Sequence, residues 1–104
     1  MKKLYVLIRK DLSPSQQAVQ AGHAVAEFCR RFPVHSENEW QYGTLVYLGV
    51  EDLVSLLIWR RKLDDGDNIP VAEYKEPFYN NQMTAFAILG EKDIVESVKE
   101  LKLI

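Results

Sequence analysis

The sequence predicts an α/β fold, a three-layer α/β/α arrangement in which helices cover a mixed four-stranded sheet. Three observations carry that prediction. Short continuous apolar runs end in charge or glycine, as strands buried on both faces do. Longer stretches of helical spacing alternate with them, giving the order β-α-β-α-β-β-α. A length of 104 residues, 47% hydrophobic and 27% charged, suits one globular domain over residues 1–104 rather than two.

Taken in order, Leu4 to Ile8 is the first strand, closed by Arg9-Lys10-Asp11. Ser13-Pro14-Ser15-Gln16 opens the first helix: Ser13 caps the free amides, Pro14 suits the first helical position, and Gln16 stands where a capping box closes. Pro33 disfavours helical geometry in the residue before it, so the helix is expected to end near Phe32. At about 100° per residue, Ala18, Ala21, Gly22, Val25, Cys29 and Phe32 share one arc, the expected packing face. Gln16, Gln20, His23, Glu27 and Arg30 share the opposite, solvated arc. Gly22 costs about 1 kcal/mol relative to alanine inside a helix, and close packing on the sheet is the expected compensation.

His35 to Gly43 reads as a polar connection holding Trp40 and Tyr42, and Thr44 to Leu48 as a second strand stopped at Gly49. Glu51 to about Asp64 is a second helix, acidic at its start and basic at its end (Arg60, Arg61, Lys62), which complements the helix dipole. Asp64 to Asn68 is a turn cluster. Ile69 to Tyr74 is a third strand, and Pro70 places it at an edge or near a strand start. After a loop from Glu76 to Gln82 come a fourth strand, Met83 to Leu89, and a closing helix marked by Ile94, Val98 and Leu101.

Several function classes fall away. A net charge of -2 does not suit a strongly basic nucleic-acid binder. The single cysteine, Cys29, makes no internal disulfide and reads as a buried thiol. No stretch approaches the roughly 20 apolar residues that span a bilayer, and Arg9 interrupts the first apolar run too early for a signal peptide, so a soluble, cytoplasmic chain is expected. Two histidines twelve residues apart and one cysteine make no zinc site, and neither a phosphate-binding glycine loop nor a nucleophile elbow is present.

Two regions remain as carriers of chemistry. The junction Arg9-Lys10-Asp11-Leu12 leads from a strand end into a capped helix start, where open α/β sheets place ligands and free amides favour an anion. A capped helix after a surface loop would read the same. The second region is His23, with Gln20 one turn before it and Glu27 placed to pair with it one turn after. Histidine is the commonest general base near neutral pH, although a solvated helix face has this composition too. Lys75 to Gln82 supplies an acid, amides and rings that suit a ribose or a base, or serve only as a connection. The cationic groups Arg9-Lys10, Arg30-Arg31 and Arg60-Arg61-Lys62 make a phosphate track only if they share a face.

The segment Val6-Leu7-Ile8-Arg9-Lys10-Asp11-Leu12, followed by Ala18-Val19-Gln20-Ala21-Gly22-His23-Ala24, resembles type II peptidyl-tRNA hydrolases. That family carries an Arg-x-Asp-Leu strand end and a Gln-x-x-His-Ala helix. Met83-Thr84-Ala85-Phe86 is similar to its threonine-led last strand. The resemblance implies hydrolysis of the ester between a peptide and the terminal ribose of tRNA, with tRNA or peptidyl-tRNA as partner and no cofactor; the short apolar runs imply no membrane partner. By the same resemblance His23 orients or activates water, Glu76 holds it, Gln16 with helix amides contacts the developing oxyanion, and Thr84 positions the ribose end. Arg9, Lys10, Asp11 and Gln20 are the implied substrate-binding residues.

Two departures stand out. Gln16 occupies the place of the family's helix lysine, and Glu76-Pro77-Phe78 replaces its Asp-Ala-Gly-x-Thr-Gln segment. Glutamine donates a hydrogen bond to an oxyanion without bringing charge, so Lys10 or Lys75 would have to compensate. The departures favour, as alternatives, a catalytically inactive member of the same fold that binds RNA, a nucleotide or a protein. A further class is an oligomeric interaction protein, a homodimer included, with Trp40, Tyr42, Phe78 and Tyr79 as its contact surface.

Overall fold

The first strand of the computed structural model, β1 (Lys3–Arg9), is buried from Leu4 through Arg9 because helices cover it on both sides. The structure describes residues 2–40, 43–64, 69–90 and 92–104. Tyr42 and most of the expected turn cluster at 64–68 lie outside them. β1 pairs in parallel with β2 (Leu45–Val50) and antiparallel with β4 (Gln82–Gly90), which pairs antiparallel with β3 (Val71–Glu76). The strand order is β2-β1-β4-β3. β1, β2 and β3 therefore point the same way, and their C-terminal ends gather at one end of the sheet beside the start of β4.

One face carries α1 (Pro14–Arg31), followed by the short α2 (Pro33–Asn38); the other carries α3 (Leu53–Lys62) and α4 (Lys92–Val98). This is the expected mixed four-stranded α/β/α arrangement. Leu4, Val6, Ile8, Ala72, Ala85, Ala87 and Leu89 meet Ala21, Ala24 and Phe28 of α1. Alanines on three of those sheet positions leave room for a helix bearing alanines of its own. Leu7, Leu48, Val50, Phe86 and Ile88 meet Leu56, Leu63, Ile94 and Val98 in a single cluster on this second face.

The start of α1 follows its sequence signal. The Gln16 amide donates to Ser13 Oγ at 3.3 Å, and Pro14 is the first helical residue. Gln17 Nε2 donates to the Leu12 carbonyl at 2.7 Å, which pins the turn out of β1. The packing face of α1 differs from expectation. Its buried residues are Gln20, Ala21, Ala24 and Phe28, whereas Ala18 and Gly22 are exposed and Cys29 is half-buried. A Cβ at Gly22 would meet open space, so close packing does not explain that glycine. The helix is rotated because the Gln20 amide finds buried partners, and a polar side chain with partners can go inside.

Three further differences have local causes. The connection after Phe32 contains α2, since Pro33 ends one helix and its fixed φ starts the next. α4 ends at Val98 with Leu101 beyond it, and the last residues run antiparallel beside β2: the Gly49 amide donates to Lys102 O and the Ile104 amide to Tyr47 O. β3 continues through Glu76, so that residue belongs to a strand rather than to the loop. A 3-10 turn, Pro77–Tyr79, and two left-handed asparagines, Asn80 and Asn81 (φ 55° and 60°), return the chain to β4.

The pairing of β3 with β4 slips once. Tyr74 faces Ala85 but Lys75 faces Met83, leaving Thr84 as the extra residue of a bulge. Consecutive residues Thr84 and Ala85 are consequently both turned toward α1. That is the fold's main contribution to the site.

Candidate functional site

α1 runs antiparallel to the edge strand β3, so one turn of helix advances as one pleat of strand retreats. Gln20 meets Glu76, and His23 meets Tyr74. Ala72, Tyr74 and Glu76 share a strand face by alternation, and that face looks at α1.

The deepest part is a three-residue network. Gln20 Nε2 donates to Glu76 Oε1 at 2.9 Å, and Gln20 Oε1 accepts from the Thr84 hydroxyl at 2.7 Å. The second hydrogen on Gln20 Nε2 points to Gln16 Oε1, 3.4 Å away. Gln20 and Thr84 are 0% exposed and Glu76 8%, so the amide's orientation is dictated by its partners: nitrogen to the carboxylate, oxygen to the hydroxyl. Every buried side-chain nitrogen and oxygen among the described residues has a partner. Glu76 Oε2 also accepts from the Phe78 amide at 3.4 Å, capping the 3-10 turn.

One turn along α1, the His23 ring stacks on Tyr74 with centroids 4.5 Å apart and planes 11° from parallel. Burial, then the Glu76 and Glu27 carboxylates, push the Tyr74 phenol up. The expected His23–Glu27 pair does not form. Glu27 is held instead by Arg30 Nη2 and Arg31 Nε, each at 2.7 Å, and their hydrogen bonds lower its pKa. Beyond the stack, Glu27, Arg30, Arg31, Glu73, Tyr74 and Lys75 line an open cleft of about 450 Å³.

Arg9 and Asp11 form a separate forked pair: Nε to Oδ1 is 2.9 Å and Nη2 to Oδ2 is 2.7 Å. Arg9 Nη1 also donates to Gln82 Oε1 at 2.9 Å and to the Met83 carbonyl at 3.3 Å. These bonds tie β1 to the start of β4. The hydrogen bond from Arg9 holds the Asp11 carboxyl below its ordinary range, and the same bond raises Arg9. Lys10 lies elsewhere, its Cγ and Cδ over Gly49 of β2.

No family model and no curated protein sequence matches the chain. In fold it is similar to the solved structure of a protein of unknown function from Agrobacterium tumefaciens, with a TM-score of 0.68 and 15% sequence identity. The likeness covers 99% of this chain and 97% of the other. It is a likeness of architecture.

Of the residues selected from the sequence, Gln16, Gln20, Glu76 and Thr84 are thus brought together, with His23 one turn away. Arg9 and Asp11 are tied to each other, and Lys10 sits over β2. Thr84 and Gln20 are closed off from the surface, with Gln20 bonded to both Glu76 and Thr84. Tyr74 and Gln82 carry no individual signal in the sequence for these contacts. The alternation Ala72, Tyr74, Glu76 was the signal that could have placed Tyr74 beside the acid.

Proposed function

We propose that the furrow between α1 and β3 is the site of a type II peptidyl-tRNA hydrolase-like ester hydrolase. Its reaction would release a peptide from the 3′ ribose oxygen of tRNA. The supporting observation is the meeting of Gln16 and Gln20 of α1 with Glu76 and Thr84 of the distant β3–β4 hairpin, beside His23. A carboxylate has about four acceptor directions, and two on Glu76 are used, leaving room to hold a water. The water oxygen attacks the ester carbonyl carbon and its proton passes to the Glu76 carboxylate or the His23 imidazole. The ribose oxygen leaves and takes up that proton, giving a free peptide acid and a tRNA 3′-hydroxyl. The side-chain Nε2 of Gln16 donates to the oxyanion between these steps. Arg30, Arg31 and Lys75 in the cleft meet the phosphates of the tRNA end.

The test is peptide release from peptidyl-tRNA. Glu76→Gln, which keeps the shape of the acid, is expected to slow turnover by about 100-fold or more, and His23→Ala to slow it as well. Absence of release by the wild type would overturn the hydrolase.

One observation favours a second reading, a binding module on the same furrow. The network consists of amides, a hydroxyl and a carboxylate, with Gln16 where the family has a lysine. On that reading tRNA is retained without turnover, retention weakens steeply with salt, and Gln16→Lys introduces hydrolysis.

A further inference from the structure

α3 is apolar on both sides. Leu56 is fully buried against the sheet, with Leu53 and Trp59 packed beside it. The outward face carries Val54, Leu57 and Ile58, which are 64%, 47% and 59% exposed. Contiguous exposed apolar groups mark an interaction surface. This face is on the opposite side of the sheet from the furrow, and nothing in the proposed hydrolysis uses it.

The charges around the stripe say what fits. Exposed Glu51 and Asp52 precede the helix, and exposed Arg61 lies near its end. The other two cations at that end are engaged: Arg60 Nε bonds Glu73 at 2.8 Å, and Lys62 Nζ lies 4.4 Å from the Trp59 ring centroid. An antiparallel copy of the same helix offers its basic end to this acidic end and its acidic end to this basic end. We infer that the outer face of α3 is a homodimer interface, in which two copies pack antiparallel about a two-fold axis. Val54 lies against Ile58 of the second copy, and Glu51 against its Arg61. Such a contact is isologous, so each pairing occurs twice, and the opposed helix dipoles add to the match.

The experiment is sedimentation velocity of the full chain across the micromolar range at low salt. A concentration-dependent monomer–dimer equilibrium is expected. Ile58→Glu buries a charge in the interface and should raise the dimer dissociation constant by about tenfold or more. Glu51→Arg and Arg61→Glu, both at exposed positions, should each weaken the dimer, and the double variant should restore it. Circular dichroism reports whether Ile58→Glu still folds; if it does not, the charge variants decide alone. A wild type that stays monomeric overturns the inference. So does dimerisation indifferent to a folded Ile58→Glu, or a double charge variant no better than either single one.

Discussion

At the residue scale, Gln20 is the side chain on which the furrow depends. It joins the Thr84 hydroxyl, at its oxygen, to the Glu76 carboxylate, at its nitrogen. Thr84→Val keeps the volume but leaves Gln20 Oε1 without its donor in a buried place. Chemical denaturation should show a loss of about 1–3 kcal/mol, the cost of an unsatisfied buried polar atom. The sequence marked His23, Gln20 and Glu76 through polarity and resemblance, yet it placed Gln20 on a solvated arc. Helical periodicity sorts residues by hydropathy, and a polar residue buried by its partners 56 and 64 positions away is invisible to it.

At the scale of elements, the two helical ends of the site were legible because their signals are local. Ser13-Pro14 began α1 and Pro33 ended it, through capping and backbone restriction that need no tertiary partner. α2 and the pairing of residues 102–104 beside β2 were not legible: the first has no apolar period of its own and the second exists only through β2. The glycines separate in the same way. Gly22 is helical, exposed and unopposed, so Gly22→Ala should raise stability by about 0.5–1 kcal/mol. Gly90→Ala should instead destabilise, because its new Cβ would lie 2.6 Å from Ile94 Cβ, which is buried where α4 closes on the sheet. Thermal denaturation of the two variants should move in opposite directions.

At the scale of the whole molecule, three carboxyls among the described residues are held low in the folded state. Asp11 is held by a hydrogen bond from Arg9, Glu27 first by one from Arg30, and Glu39 first by one from Lys2. A depressed folded-state pKa stabilises above the unfolded value, about 4, and that contribution is lost as pH falls through the folded one. Stability should therefore decline on acidification below about pH 4, and Asp11→Asn should flatten the decline in acid titrations followed by fluorescence. The architecture was readable at this scale because buried strands and amphipathic helices declare themselves by period, whereas the faces of β4 were not. A strand apolar on both sides carries no alternation from which a slip could be noticed. The bulge in that strand behaves like an inserted letter that leaves the reading frame on either side undisturbed. Strike out Thr84 and Met83 still pairs with Lys75, Gln82 with Glu76 and Ala85 with Tyr74, each on its present face. The pairing of β3 with β4 has no need of the residue, so a single-codon deletion there would spare that register and remove the hydroxyl that holds Gln20.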